Sequence, residues 1–366
     1  MRQPFASPAE IETSLRIAGA RPADAAAIAA RAKPCVWIAT QSGSETDTPP
    51  GGTRIGGAPD LPAAMAWPWR SAYPDFEERI AELQAGLNVY NSTDFAAIQD
   101  EMLEESRKLM TPEEFEALAA ASADIEFGPL DLTDVAGDPE LLATEAPLTF
   151  IAQFDLAEIW RAGPVDPDFP REGRLYFFYD TGHTPGGFAP GDREGARLIY
   201  DTSPVSSLQR KNPPEALASA RNGAFRAQRC TLHAGWFPPF HGAPELSACR
   251  LSETSDEALR IWWNEIVSDE DDFRFGGHPT QIQGDMPMQC ALLARGIGVG
   301  GNAELDKAVL KKAEIEAADW LLVAQIASSS EAGMMWGDMG KLYVWIHREA
   351  LRARRFDEAR VILQCY

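Results

Sequence analysis

The 366-residue chain carries 33 Lys and Arg against 55 Asp and Glu, a formal net charge of −22, with 45% hydrophobic and 24% charged residues. That much apolar surface is the mark of a folded globular protein and excludes a disordered acidic chain. The negative field repels polyanions, so neither nucleic acid nor an anionic membrane surface is an expected partner.

Met1 to Pro8 contains no apolar leader-like run, and no apolar stretch approaches the ~20 residues that span a bilayer. Five cysteines, Cys35, Cys230, Cys249, Cys290 and Cys365, are widely spaced and form no Cys-x-x-Cys pair. A cytoplasmic protein with reduced thiols is expected, with no disulfide framework, no metal and no cofactor.

In chain order, Ser7, Pro8 and Glu10 form a helix start, with an acceptor at the cap and proline at the first helical position. Ile11, Leu15 and Ala18 share one apolar face, and Gly19 closes the helix. Residues 22–33 predict a second, Ala-rich helix, so 1–33 reads as an N-terminal helical segment ahead of a body at 34–366. Residues 35–39 read as a buried strand.

Residues 75–146 predict three amphipathic helices. Phe76, Ile80, Leu83 and Leu87 mark the first, Phe95, Ile98 and Met102 the second, and a capping box from Thr111 to Glu114 opens the third, with Phe115 and Leu118 inward. This stretch holds 19 acidic and three basic residues, and so −16 of the total charge.

Farther on, strands are predicted at 148–154, 174–179, 197–200, 224–232, 321–326, 342–346 and 361–365. Gly235 to Pro239 reads as an aromatic turn, and helices are predicted at 256–267 behind a Thr254/Glu257 cap, at 303–318 and at 348–355.

Four short patterns occur twice in the same order. Arg54-Ile55-Gly56-Gly57-Ala58-Pro59 matches Arg274-Phe275-Gly276-Gly277-His278-Pro279, and Phe150-Ile151-Ala152-Gln153-Phe154 matches Leu322-Val323-Ala324-Gln325-Ile326. Gly173 to Phe178 matches Gly340 to Trp345, and Ala196 to Ile199 matches Ala359 to Ile362. The first pair is offset by 220 residues and the others by 163–172, which predicts an insertion in the first copy. The expected fold is α+β, internally duplicated, with mostly antiparallel or mixed sheets. Copy one spans about 54–200, with the acidic helical insertion at about 75–146, and copy two spans about 274–365. A buried Gln in each matching strand needs partners, so Gln153 and Gln325 are expected to bond across the repeat interface or to a loop backbone.

Gly296-Ile297-Gly298-Val299-Gly300-Gly301 satisfies G-x-G-x-x-G. Glu304 and Asp306 place negative charge where a pyrophosphate would sit, so a glycine linker is the preferred reading. Two loops hold richer chemistry. His278 to Asp285 supplies an imidazole, amides and a carboxylate, and Met334 to Gly340 supplies Trp336 as a stacking plate and Asp338 as a second acid. With Trp67 and Gln153, the candidate pocket is Trp67, Gln153, His278, Gln283, Asp285, Trp336 and Asp338. No nucleophile–base pair or metal triad follows from the spacing, so the leading expectation is a non-catalytic protein that binds a small ligand or a basic protein surface. The alternative is a hydrolase-type enzyme with a site between the repeats using Asp285, Asp338 and His278.

The motifs from Arg54 to Pro62, Trp67-Pro68, Leu148 to Leu156 and Gly173 to Asp180 resemble the YwqG-like family of bacterial proteins, as do Gln281 to Asp285, Trp320 to Ile326, Trp336 to Tyr343 and Ile362 to Cys365. The resemblance runs from about Arg54 to the C-terminus and skips the acidic insertion. It implies an α+β domain of unknown function in a bacterial cytoplasm and supplies no catalytic residues. The chain departs from the pattern at Ala327, where the family usually has Asp.

Overall fold

The computed structural model describes residues 5–123, 127–131, 139–218, 223–267, 273–299 and 305–366. The chain forms two compact units, one of Met1–Ser71 with Ala146–Tyr366 and one of Ala72–Glu145.

In the larger unit the chain starts with helices α1 (Pro8–Ile17) and α2 (Pro22–Ala29). The Ser7 hydroxyl accepts the Glu10 amide, and Ile11 and Leu15 are buried, while Ala18 is exposed and Ala20 packs in its place. Strands β1 (Lys33–Ser42), β2 (Arg54–Ile55), β3 (Asp60–Pro62) and β4 (Trp69–Arg70) follow. After the smaller unit come β5 (Ala146–Pro147), β6 (Thr149–Asp155), β7 (Arg174–Tyr179), β8 (Ala196–Asp201), β9 (Leu208–Arg210) and β10 (Gln228–Phe237). The last strands are β11 (Arg274–Gly276), β12 (Trp320–Ala327), β13 (Lys341–His347) and β14 (Arg360–Gln364).

Ten of these strands form one antiparallel sheet in the order β14-β13-β12-β11-β1-β10-β2-β6-β7-β8. The α+β class expected from the pattern is therefore the observed one. Side chains alternate across the sheet. Val36 and Ile38 enter a core shared with Phe154, Phe177, Phe275, Val323 and Val344, whereas Cys35 and Trp37 face a second cluster built on the N-terminal helices. The sheet curls around the first core: Phe154 meets Phe275 edge-on at 5.4 Å, Tyr179 meets Trp336 at 6.0 Å, and the Leu363 amide donates to the Gly186 carbonyl at 3.1 Å.

The two flanks of the sheet carry the same local geometry. Arg54 lies opposite Gln153, which lies opposite Tyr176; Arg274 lies opposite Gln325, which lies opposite Tyr343. The β6/β7 pairing slips at Ile151 and the β12/β13 pairing slips at Val323, the matching position. The two glutamines bond to loop backbone. Gln153 Oε1 accepts the Asp60 amide at 2.9 Å and its Nε2 donates to the Gly52 carbonyl at 2.8 Å. Gln325 Oε1 accepts the Thr280 amide at 2.8 Å. Asp60 and Thr280 each stand six residues beyond the arginine, and the Tyr176 and Tyr343 hydroxyls donate to their respective carbonyls.

Several boundaries differ from the sequence reading for local reasons. The strand expected at 224–232 starts and ends later and takes in the expected turn at Gly235, because β10 pairs with β1 along its whole length, from Gln228 to Phe237. The helix expected at 256–267 begins at Glu253, since Ser252 and not Thr254 supplies the cap, and its tail is a π-turn at Trp263–Val267. The helix expected at 303–318 is Lys307–Ala317, capped by Asp306. Residues 303 and 304 lie outside the described residues, as do Gly300 and Gly301 of the glycine motif. Gly296, in that motif, ends the preceding helix at φ +75°. Asp155 caps a helix at Leu156–Ala162 through the Glu158 amide, whereas a hydroxyl-braced turn at Ser328 follows Ala327, so no capping acid is needed there.

The smaller unit holds helices Phe76–Ser92, Phe95–Leu109 and Pro112–Ala123. Leu87 is buried, and Arg79 lies over the Tyr73 ring at 4.4 Å while paired with Asp75. Phe95 packs on Tyr90 and Phe127, but Ile98, Met102 and Leu109 stay 45%, 66% and 85% exposed.

A buried amide that holds loop backbone is costly to remove. Gln153→Leu strips partners from the Asp60 amide and the Gly52 carbonyl and is expected to cost about 2–5 kcal/mol. Gln325→Leu is expected to fall in the same range, and Gln283→Leu, at an exposed site, within about 0.5 kcal/mol. Urea unfolding midpoints check the contrast; equal midpoints in all three variants would show that the loops are held in some other way.

Candidate functional site

The row Arg274, Gln325 and Tyr343 fixes the start of the loop that follows β11. Gly276 and Gly277 take φ of +74° and +81°, which turns the chain out of the sheet. Arg274 lies 3.3 Å from the centre of the Phe237 ring, and its Nη2 donates to both Gln325 Oε1 and Thr280 Oγ1. Gln364 fixes the far end of the loop: its Oε1 accepts the Ile282 and Gln283 amides at 3.1 and 3.0 Å, and its Nε2 donates to the Gly284 carbonyl. Asp285 then caps helix Met286–Ala294 by accepting the Met288 amide. Residues 277–285 are therefore a pinned wall.

Against that wall lies a cavity of about 590 Å³, within the usual ~300–1,000 Å³ of small-molecule sites. It opens between two outer clusters of the sheet, one built on α1 and α2 and the other on Met286, Cys290 and Leu293. Trp320 and Trp345, from β12 and β13, supply aromatic surface, with Phe240, Pro244, Pro279, Pro287, Met288 and Ala317. The polar lining is sparse: Arg31, Lys33, Glu245, His278, Gln281, Asp285 and Glu314.

His278 is buried in this lining, with Nε2 at 2.8 Å from the Arg31 carbonyl, so Nε2 carries the proton. Burial, together with the nearby Lys33 and Arg274 cations, pushes the imidazole well below its ordinary pKa. The ring is neutral at pH 7, and its 3.4 Å approach to Glu245 is not an ion pair. Burial also raises the Asp285 carboxyl, with Glu245 adding like-charge repulsion, and lowers the Lys33 ammonium. Lys33 is exposed, a charged side chain on the open side of the cavity lining.

Of the seven residues expected to share a pocket, His278 and Asp285 line this cavity. Gln283 lines a neighbouring one of about 340 Å³, which Asp285 also borders. The other four stand elsewhere in their contacts. Gln153 is the loop pin of the opposite flank. Trp67 donates to the Leu148 carbonyl and lies edge-on to Phe178 at 5.4 Å. Trp336 is a core residue, donating to the Ala327 carbonyl and packed edge-on against Tyr179 and Phe225. Asp338 is exposed, and its carbonyl accepts the Tyr366 amide. The sequence reading omitted Lys33, Glu245, Trp320 and Trp345.

A second cavity, of about 390 Å³, is bordered by Glu158, Arg161, Arg229 and Cys230. Burial pushes the Cys230 thiol up to about 12, and raises Cys290 as well, so neither is a ready thiolate. Among the described residues, no three of His, Cys, Asp and Glu are grouped as a metal ion requires, and no helix is long and apolar enough to cross a membrane.

A family model described as a domain of unknown function (DUF1963) matches residues 53–365. The chain belongs to that family. No curated protein matches it significantly.

Because His278 is held neutral, its folded pKa lies below its unfolded value near 6.5, so the unfolded chain takes up the proton first. Stability present above pH ~6.5 is lost as pH falls, by up to about 1.4 kcal/mol per pH unit from this group. Denaturant unfolding of wild type and His278→Gln between pH 7.5 and 5 should show the steeper loss in wild type; parallel curves would mean that the imidazole is not held neutral.

Proposed function

We propose that the protein is a non-catalytic binding protein and that its ligand site is the 590 Å³ cavity between Trp320, Trp345, His278 and Lys33. The observation that carries this reading is a concave, largely apolar lining with few polar groups, backed by a loop whose backbone is hydrogen-bonded to buried side chains. Such a site is organised before the ligand arrives, which lowers the ordering cost of binding. The hydrolase alternative has His278 and Asp285 in one cavity in its favour. Against it, no Ser, Thr or Cys lines that cavity, Asp338 is absent from the lining, and the His278 Nε2 faces a carbonyl.

Matching registers and bulges on the two flanks support an ancestral duplication, with copies at about 54–200 and 274–365. The finer YwqG-like placement, with its bacterial and cytoplasmic setting, rests on the motifs from Arg54 to Cys365. The acidic unit, with Ile98, Met102 and Leu109 exposed among its carboxylates, fits a basic protein surface as a second contact and disfavours nucleic acid.

Differential scanning fluorimetry with neutral, anionic, cationic and zwitterionic aromatic and aliphatic compounds tests the reading. Binding compounds should raise the melting temperature by about 2 °C or more near saturation. Ala317→Phe, which narrows the cavity, should fold and lose the response. No response across the panel, or an undiminished one in Ala317→Phe, would overturn the proposal.

A further inference from the structure

The cavity contains two groups of opposite charge that leave each other unpaired. Among the described residues, the Lys33 ammonium makes no hydrogen bond and no ion pair. Asp285 spends one oxygen, Oδ1, on the Met288 amide, and among the described residues its Oδ2 has no hydrogen-bond partner. The two side chains come from different elements, the first residue of β1 and the cap of helix Met286–Ala294, and no ion pair joins them. The other charges are differently placed. Arg31 is bonded to the Glu245 and Ala27 carbonyls, and Glu245 stands against His278 while attracting Lys33 from beyond ion-pair distance.

We infer that the cavity takes an apolar zwitterion, an apolar amino acid or short apolar peptide, whose carboxylate meets Lys33, whose ammonium meets Asp285 and whose side chain lies on Trp320 and Trp345. This rests on the proposed binding role and narrows it to a ligand class. A charge on a cavity lining that has no ion-pair partner gains from a ligand charge of opposite sign, and the gain grows as the ligand excludes water from the pair. Surrounding protein disfavours both charged forms, lowering the ammonium's pKa against the attraction of Glu245 and Asp166 and raising the carboxyl's. A ligand with one charge would relieve one group and leave the other. The aromatic walls favour a cation beside them.

Isothermal titration of the full chain tests this with L-phenylalanine, L-leucyl-L-phenylalanine, N-acetyl-L-phenylalanine, L-phenylalaninamide and neutral indole. The amino acid or the dipeptide should bind about tenfold or more tighter than either singly charged derivative, and which of the two does so separates a free amino acid from a peptide ligand. Lys33→Met, which keeps the apolar stem, should erase only the advantage of a free carboxylate. Asp285→Asn, which keeps the helix cap, should erase only the advantage of a free ammonium. A singly charged derivative binding as tightly as the zwitterions, or variants that weaken all probes equally, would overturn the ligand class. If indole binds in a way that Ala317→Phe blocks, while zwitterions gain nothing over it, the cavity reading stands and the class fails. If none of the five binds, both fail.

Discussion

A buried glutamine in a central strand cannot be left without partners, and in this fold its amide is the device that joins sheet to loop. On each flank the side chain accepts the amide of the residue six places beyond an arginine, and a tyrosine on the next strand takes the carbonyl of that same residue. An unpartnered amide in such surroundings costs on the order of 1–3 kcal/mol per lost group, so loop and strand pair cannot separate cheaply. The two arginines also touch different neighbours. Arg54 lies within ion-pair distance of Asp60 and Glu45, and Asp60 is shared with Arg210, whereas Arg274 lies on the faces of Phe237 and Trp37. The flank of Arg274 is the one that stands beside the 590 Å³ cavity.

The cavity follows from that arrangement. Gln325 and Gln364 hold the backbone of residues 280–284, and this fixes where His278 and Asp285 stand relative to Lys33, Trp320 and Trp345. The helices over the sheet belong to two separate clusters, one on Trp37 and Phe237 and one on Trp320, Tyr343 and Trp345, and the space between those clusters is left open. A neutral imidazole, a raised carboxyl and a lowered ammonium share desolvation by the surrounding protein as the largest cause, although Lys33 itself keeps an exposed side chain. Groups in that state have something to gain from a ligand, which distinguishes them from the exposed ion pairs elsewhere on the chain.

The strands flanking each glutamine were legible in the sequence because they are short apolar runs bounded by Gly, Pro or Asp, and the matching patterns at Arg54 and Arg274 pointed to the same local geometry twice. Strand β10 was displaced in the reading because Arg229, Thr231 and His233 interrupt its apolar pattern, and pairing with β1 decides its limits. The site was half legible. His278 and Asp285 stood out by chemistry and share the cavity, but Trp336 and Asp338 stood out equally and serve a core and a turn. Lys33, Glu245 and the two cavity tryptophans were missed because nothing local distinguishes them: they converge only through β1, the short helix at Pro244–Ser247 and the outer surface of β12 and β13.

The central claim is that loop 277–285 is held by buried side chains and so preforms the cavity wall. Residue-resolved amide hydrogen exchange tests it most directly at Thr280, Ile282 and Gln283, whose amides are given to Gln325 and Gln364. A pinned loop predicts that these three exchange as slowly as core strand amides such as those of β12, close to the rate set by global unfolding. Exchange at the rate of an open surface loop would contradict it, and with it the view of the cavity as a site organised in advance.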